Sequence, residues 1–315
     1  MQNSKIKNVV IAGSGLMGAS MAQVFARYGY TVVLYDIAEA ALQKAAELIS
    51  INQKSLVAQG EISQEASDAL QKQMTYSTDM NVFAQADFVI EAIIEKIEIK
   101  HSFWKDVSKI VPDHAVLTTN TSGLSINEIA KAVKLPARFA GMHWVNPPHI
   151  VPLVELISAE ETDEATMKAI EMVALSLHRK PITVKGDPKG FVLNRLQYAV
   201  LREALHIVES GYASAEDVDN VMKYGLGMRY SGIGPFETVD LGGLDTFFHV
   251  GSYLFADLSN ATKVPKALAD LYHEGSFGTK TGKGFYDYSD GKDKLAIEKR
   301  DKAFLKLAKC LFSDL

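Results

Sequence analysis

The chain has 315 residues, 47% hydrophobic and 23% charged, which suits two domains with separate cores and argues against disorder. A formal charge of −5 offers no basic field to a nucleic-acid backbone, and a single cysteine, Cys310, excludes an internal disulfide or a multi-cysteine metal site. The apolar run at the N-terminus is short and broken by glycines, and no stretch reaches membrane-spanning length. The expected partners are therefore small molecules rather than nucleic acid or membrane, the expected location is cytoplasmic, and no metal is expected.

In chain order, short β-branched runs are expected as strands at 6–12, 30–36, 86–93, 115–120, 138–145 and 181–186, separated by helical patterns. Nearly continuous apolar strands alternating with helices imply a mostly parallel sheet covered on both faces. Residues 37–75 read as a helical hairpin. From Gly190 onward the pattern turns helical, with 284–288 as the one further candidate strand. The expected organisation is an α/β domain over 1–187 and an all-helical domain over 188–315.

The first strand runs into Gly13, Gly15 and Gly18 at the opening of a helix, and Asp36 closes the second strand. Glycines at this spacing permit a tight turn and close approach of backbone to a pyrophosphate, while the helix N-terminus presents free N–H groups. A purely structural glycine turn is the alternative. The strand before, the helix after and the acidic residue at ribose-binding distance favour a Rossmann-type dinucleotide site. Asp36 would repel a 2′-phosphate and Ile37 beside it is not basic, so NAD is expected over NADP.

His143 and Glu155 stand twelve positions apart around Pro147 and Pro148. A lone histidine in an apolar run is ordinarily a core or surface residue. If 138–145 and the LVELI run beginning at Leu153 are neighbouring strands, however, the two side chains converge at one end of the sheet. Imidazole titrates near neutrality and can take a hydroxyl proton as hydride leaves, with the carboxylate fixing its tautomer. Ser122, just after the strand 115–120, is either a ligand at the carboxyl edge of the sheet or a helix N-cap. Asn194 shares a helix with Tyr198, Leu201, Leu205 and Val208, so its amide is expected in an apolar stripe, where it needs a partner.

The ordered set GSGLMG with Asp36, IEAIIEKIEIK, NTSGLSI, GMHWVNPPHIVPLVE, GFVLNRL, GIGPFE and FGTKTGKGFYDY resembles the L-3-hydroxyacyl-CoA dehydrogenase superfamily over nearly the whole chain. The resemblance implies His143 and Glu155 as the catalytic pair, with Ser122 and Asn194 as further catalytic and substrate-binding residues. It implies Asp36, Glu95, Lys100, Asn120, Asn146 and Lys280 as cofactor positions, alongside the three glycines. It also implies a homodimer formed through the helical domain.

Three departures separate this chain from the acyl-CoA pattern. Residues 37–73 carry Lys44, Lys54 and Lys72 against Glu39, Glu47, Glu61, Glu65 and Asp68, a poor field for coenzyme A phosphates where acyl-CoA members place several lysines. Arg229 stands before the GPFE motif and is shaped to take a small carboxylate, although a solvated surface charge is its alternative. Trp144 with the double proline replaces the usual phenylalanine pair. These features resemble the free-acid branch, which holds L-gulonate 3-dehydrogenase with lambda-crystallin, L-carnitine dehydrogenase and the pyridine-carboxylate dehydrogenase of vitamin B6 breakdown. The expected function is reversible hydride transfer between NAD and the 3-hydroxyl, or an equivalent group, of a small free hydroxy acid. The alternatives are a short-chain L-3-hydroxyacyl-CoA dehydrogenase and a catalytically idle NAD-binding structural protein.

Overall fold

The computed structural model describes residues 6–58 and 60–312. Eight strands form one sheet: β1 (Asn8–Ala12), β2 (Thr31–Tyr35), β3 (Met74–Ser77), β4 (Phe88–Glu91), β5 (Val116–Thr119), β6 (Phe139–Trp144), β7 (Leu153–Ser158) and β8 (Lys180–Val184). Their order is β3-β2-β1-β4-β5-β6-β7-β8. Every neighbouring pair is parallel except β6 and β7. The chain leaves β1 toward β2 on one side and returns to β4 on the other, so the crevice outside the carboxyl ends of β1 and β4 is the topological switch point.

Alternation along each strand explains why both faces are buried. Val9 and Ile11 join Phe25, Met142, Trp144 and Leu156 in one core, whereas Val10 and Ala12 join Val89, Trp104, Leu117 and Phe139 in the other. The first core is covered by helices α1 (Leu16–Arg27), α2 (Glu39–Ala58), α3 (Gln64–Lys72) and, further along, α6 (Glu164–Ser176); the second is covered by α4 (Ile97–Ile110) and α5 (Ile126–Ala130).

Compact units divide after Asn194, near the start of α7 (Leu193–Glu209). The second unit continues through α8 (Ala215–Val221), α9 (Gly227–Gly232), α10 (Pro235–Gly242), α11 (Leu244–Asp257), α12 (Lys266–His273) and α13 (Lys292–Leu311). Phe236, Phe248 and Phe255 are all more than 70% exposed on it. Among the described residues no helix is long and apolar enough to cross a membrane.

Two local expectations need correction. Residues Met74–Ser77 form an edge strand where the sequence places the end of the hairpin, because only Met74 of the four is buried and no apolar alternation marks it. At 284–288 there is no strand. Isolated bridges join Lys283 to Gly278 and Asp287 in a glycine-rich turn instead.

Candidate active site

The glycine loop after β1 has no room for side chains where it turns. A Cβ on Gly13, whose φ is +97°, would lie 2.5 Å from the Ala92 carbonyl oxygen, and one on Gly18 would lie 1.8 Å from that of Gly13. Gly15 faces open space. It begins α1 with no side-chain cap and no acidic residue in the first turn, which leaves the helix N-terminus free to receive an anion. These residues fit a dinucleotide pyrophosphate. Asp36 accepts the Ser14 N–H (2.8 Å) and hydroxyl (2.9 Å) on Oδ2 and the Ala38 N–H (3.1 Å) on Oδ1. It therefore also shapes the loop, a role the spacing alone does not reveal.

His143 and Glu155 are direct cross-strand partners in the antiparallel β6–β7 pair, so their side chains leave the sheet on the same face. Nδ1 of His143 lies 2.8 Å from Glu155 Oε2. The other oxygen, Oε1, accepts the N–H groups of Val192 and Leu193, each at 2.9 Å, where α7 begins. Phe191, at φ +49°, turns the chain so that both N–H groups point at the carboxylate, and its ring stands 5.6 Å from that of His143. Burial raises the Glu155 pKa, but the His143 hydrogen bond and the two backbone N–H groups outweigh it, leaving the carboxyl below its ordinary range. An ionised Glu155 only accepts, so Nδ1 carries the proton and a neutral His143 keeps its Nε2 lone pair.

Ser122 is held through both of its backbone polar groups. Its N–H donates to Glu95 Oε1 (2.9 Å), and its carbonyl accepts from Asn194 Nδ2 (2.8 Å). The Asn194 amide thus finds its partner on the loop after β5, while Tyr198, on the stripe expected to be apolar, is 62% exposed. Asn120 accepts the Trp144 N–H on its side-chain oxygen at 2.8 Å, tying the β5 edge to the residue after His143. Lys100 is buried between Glu91 and Glu95. Asn146 is exposed in the turn between β6 and β7.

That turn is held by Arg179, whose guanidinium donates to the carbonyls of Pro148 (3.1 Å) and Val151 (3.3 Å) and lies over the Trp144 ring. Trp144 itself faces the core opposite His143. On the helical unit, Arg229 in α9 and Lys280 in the turn after α12 are both exposed. The sequence reading missed Ser14, Glu91, Thr121, Arg179 and Phe191. An acidic residue inside the buried FVIE run was the one signal available for Glu91.

The depressed Glu155 pKa has a stability consequence. Because the folded value lies below the ordinary 4.5, the stabilisation is fully present above about pH 4.5 and is lost as pH falls through the folded value. Glu155→Gln, which cannot ionise, should be less stable than the natural chain at pH 6, and the gap should narrow steadily on acidification. Denaturant unfolding between pH 3 and 7 measures this; a gap independent of pH would contradict it.

Residues 8–187 match the model of the 3-hydroxyacyl-CoA dehydrogenase NAD-binding domain, and residues 190–288 match that of the 3-hydroxyacyl-CoA dehydrogenase C-terminal domain. The chain is 34% identical over 307 residues to 5-formyl-3-hydroxy-2-methylpyridine 4-carboxylate 5-dehydrogenase of Mesorhizobium japonicum, covering 97% of this chain and 98% of that one. It is 37% identical over 291 residues to the mitochondrial hydroxyacyl-coenzyme A dehydrogenase of Homo sapiens, covering 90% and 91%. A crystal structure of the pyridine-carboxylate enzyme, described as an NAD+ dependent dismutase, superposes with a TM-score of 0.90 at 34% identity, covering 97% of this chain and 98% of that one. The chain belongs to the 3-hydroxyacyl-CoA dehydrogenase family and is an NAD-dependent dehydrogenase acting on a CH–OH group.

Proposed function

We propose that the substrate is a small free acid carrying a 3-hydroxyl or equivalent group, and that His143 is the base for its oxidation. The observation that carries the chemistry is the His143–Glu155 pair, with one ring nitrogen committed to an ionised carboxylate and the other left to accept a proton. NAD supplies the hydride acceptor. Nε2 of His143 takes the hydroxyl proton as the carbonyl forms, and Glu155 stabilises the resulting imidazolium across 2.8 Å. The Ser122 hydroxyl and the Asn194 amide orient the reacting oxygen. Asp36, Glu95, Lys100, Asn120, Asn146 and Lys280, with Gly13, Gly15 and Gly18, hold the cofactor.

The free-acid assignment rests on charge. Residues 37–73 carry three lysines against five carboxylates, opposing the phosphates of coenzyme A, and Arg229 supplies a guanidinium for a carboxylate. The name of the Mesorhizobium relative points the same way, since it specifies a free pyridine carboxylate. The human relative supports the acyl-CoA alternative instead. Within this reading the exposed Phe236, Phe248 and Phe255 are assigned to a homodimer interface, a kind of contact that large exposed aromatic side chains mark.

His143→Ala should leave NAD affinity within about twofold and lower kcat on the order of 100- to 10,000-fold, the usual cost of losing a positioned general base. Stopped-flow NADH absorbance with calorimetric NAD titration checks it, and near-normal turnover would remove His143 from the mechanism. Asp36→Asn keeps an acceptor for Ser14 but loses the charge. It should weaken NAD roughly tenfold and reduce discrimination against NADP, read from the two cofactors' kcat/KM.

A panel of free hydroxy acids beside acetoacetyl-CoA tests the substrate class. Free acids should be preferred, and Arg229→Met should lower their kcat/KM roughly ten- to a hundredfold, the equivalent of about 1.5–3 kcal/mol for a charge-assisted contact. Efficient acetoacetyl-CoA turnover unaffected by Arg229→Met would transfer the assignment to the acyl-CoA alternative.

A further inference from the structure

Asp187, three residues past β8 on the segment that leads into α7, has no part in the chemistry above. Its Oδ2 accepts the Ser125 hydroxyl (2.5 Å) and the Asn127 N–H (3.1 Å) at the start of α5. Ser125 is also the N-cap of α5 and accepts the Glu128 N–H at 3.1 Å. Further along the same segment, Asn194 donates to the Ser122 carbonyl at 2.8 Å. Two stretches of chain, 122–125 and 187–194, are therefore joined at both ends and close a ring. Within it the second stretch is shaped by its own contacts. Gly190 at φ +75° and Phe191 at φ +49° turn it, the Phe191 ring is buried, and the N–H groups of Val192 and Leu193 lie on Glu155. The first stretch has less to hold it: Ser122 and Gly123 are exposed, and a Cβ on Gly123 would meet nothing within 4 Å.

We propose that Asp187 is a positioning residue: it closes the ring at the end away from the reacting groups and so fixes Ser122 relative to Asn194 and to the His143–Glu155 pair. The bonds from Glu95 and Asn194 reach Ser122 directly, but both come from side chains proposed to meet ligands, and a ligand competes for them. Asp187 has no such second duty, and its carboxylate makes the stronger, charge-assisted kind of bond. A displacement of about 1 Å in a positioned group can cost on the order of a hundredfold in rate, so a bond that never touches the substrate can still govern turnover. This inference rests on the proposed roles of Ser122 and Asn194 and is independent of which acid is oxidised.

Hydrogen exchange of the full-length protein, read amide by amide, tests the ring without a substrate. Asp187→Ala should speed exchange roughly tenfold at Ser122, whose N–H lies on Glu95, and at Val192 and Leu193, whose N–H groups lie on Glu155, the factor that matches loss of one charge-assisted bond. None of these amides bonds to Asp187. Asp187→Asn keeps a neutral acceptor of about half the strength and should give the same pattern at roughly threefold, which carries the test if the alanine variant does not fold. Faster exchange confined to Asn127 and the turn of α5 that follows it would reduce Asp187 to a helix cap and overturn the proposal. In turnover of the fastest compound of the panel above, Asp187→Ala should lower kcat roughly tenfold and leave the NAD Kd within about twofold. An unchanged kcat, or an NAD Kd that rises in step with the loss of turnover, would overturn it as well. A panel in which nothing is turned over would count against the substrate reading alone, and the exchange pattern would still decide whether Asp187 closes the ring.

Discussion

The candidate site depends on one antiparallel pairing in an otherwise parallel sheet. Because β6 and β7 run in opposite directions with His143 opposite Glu155, a histidine and a carboxylate meet across neighbouring backbones, with neither side chain needing to extend. A slip of one residue would place them on opposite faces and leave a buried carboxylate without its partner. The connection between the strands is correspondingly restrained, by Pro147 and Pro148 and by the carbonyl bonds from Arg179. Glu155 then passes the constraint on: its second oxygen receives the N–H groups of Val192 and Leu193 at the start of α7, so the element bearing Asn194 is referenced to the same carboxylate as the base.

The same device recurs along the carboxyl edge of the sheet. Asp36, just past β2, holds Ser14 of the glycine loop; Glu91, ending β4, holds Lys100 and Thr119; Glu155, within β7, holds His143 and the start of α7. Each is an acidic residue on or beside a rigid strand whose oxygens accept from backbone N–H groups and side chains of adjoining loops, strands and helices. Loops are ordinarily the least ordered parts of such a fold, and a carboxylate fixed at one end converts a loop into an extension of its strand. Among the groups proposed to meet ligands, Ser122 and the exposed side of Glu95 are outermost members of these chains.

Much of this was legible in the sequence for specific reasons. The strands of the buried sheet announce themselves as apolar runs bounded by turns, and the glycine spacing with Asp36 has few physical meanings once a strand precedes it. β3 was not legible because an edge strand of four residues with one buried side chain has no alternation to read. Glu95 and Lys100 could be singled out only by resemblance. Their mutual arrangement, a 3.2 Å contact, could not be seen, nor could the role of Glu91, which lies within the same motif without being distinguished by it. Asn194 shows the opposite limit: helical spacing suggested an apolar stripe, yet its amide donates to the backbone of Ser122. Periodicity describes what a helix presents, and tertiary context decides what receives it.

In the proposed reading, substrate preference rests on short-range contacts. A surplus of two negative charges on the hairpin acts across solvent, where at physiological ionic strength fields decay over roughly 8 Å, so it can discourage a phosphate-rich handle but cannot by itself reject one. A guanidinium in contact with a carboxylate is different in kind. It is directional, and its worth of about 1.5–3 kcal/mol grows as water is excluded. Under the proposed free-acid reading, discrimination between a free acid and a thioester falls on whether a cation contacts the acid, and Arg229 is the departure from the acyl-CoA pattern proposed to supply one. If the hairpin alone carried the preference, it would fade with added salt; a contact through Arg229 would keep most of it.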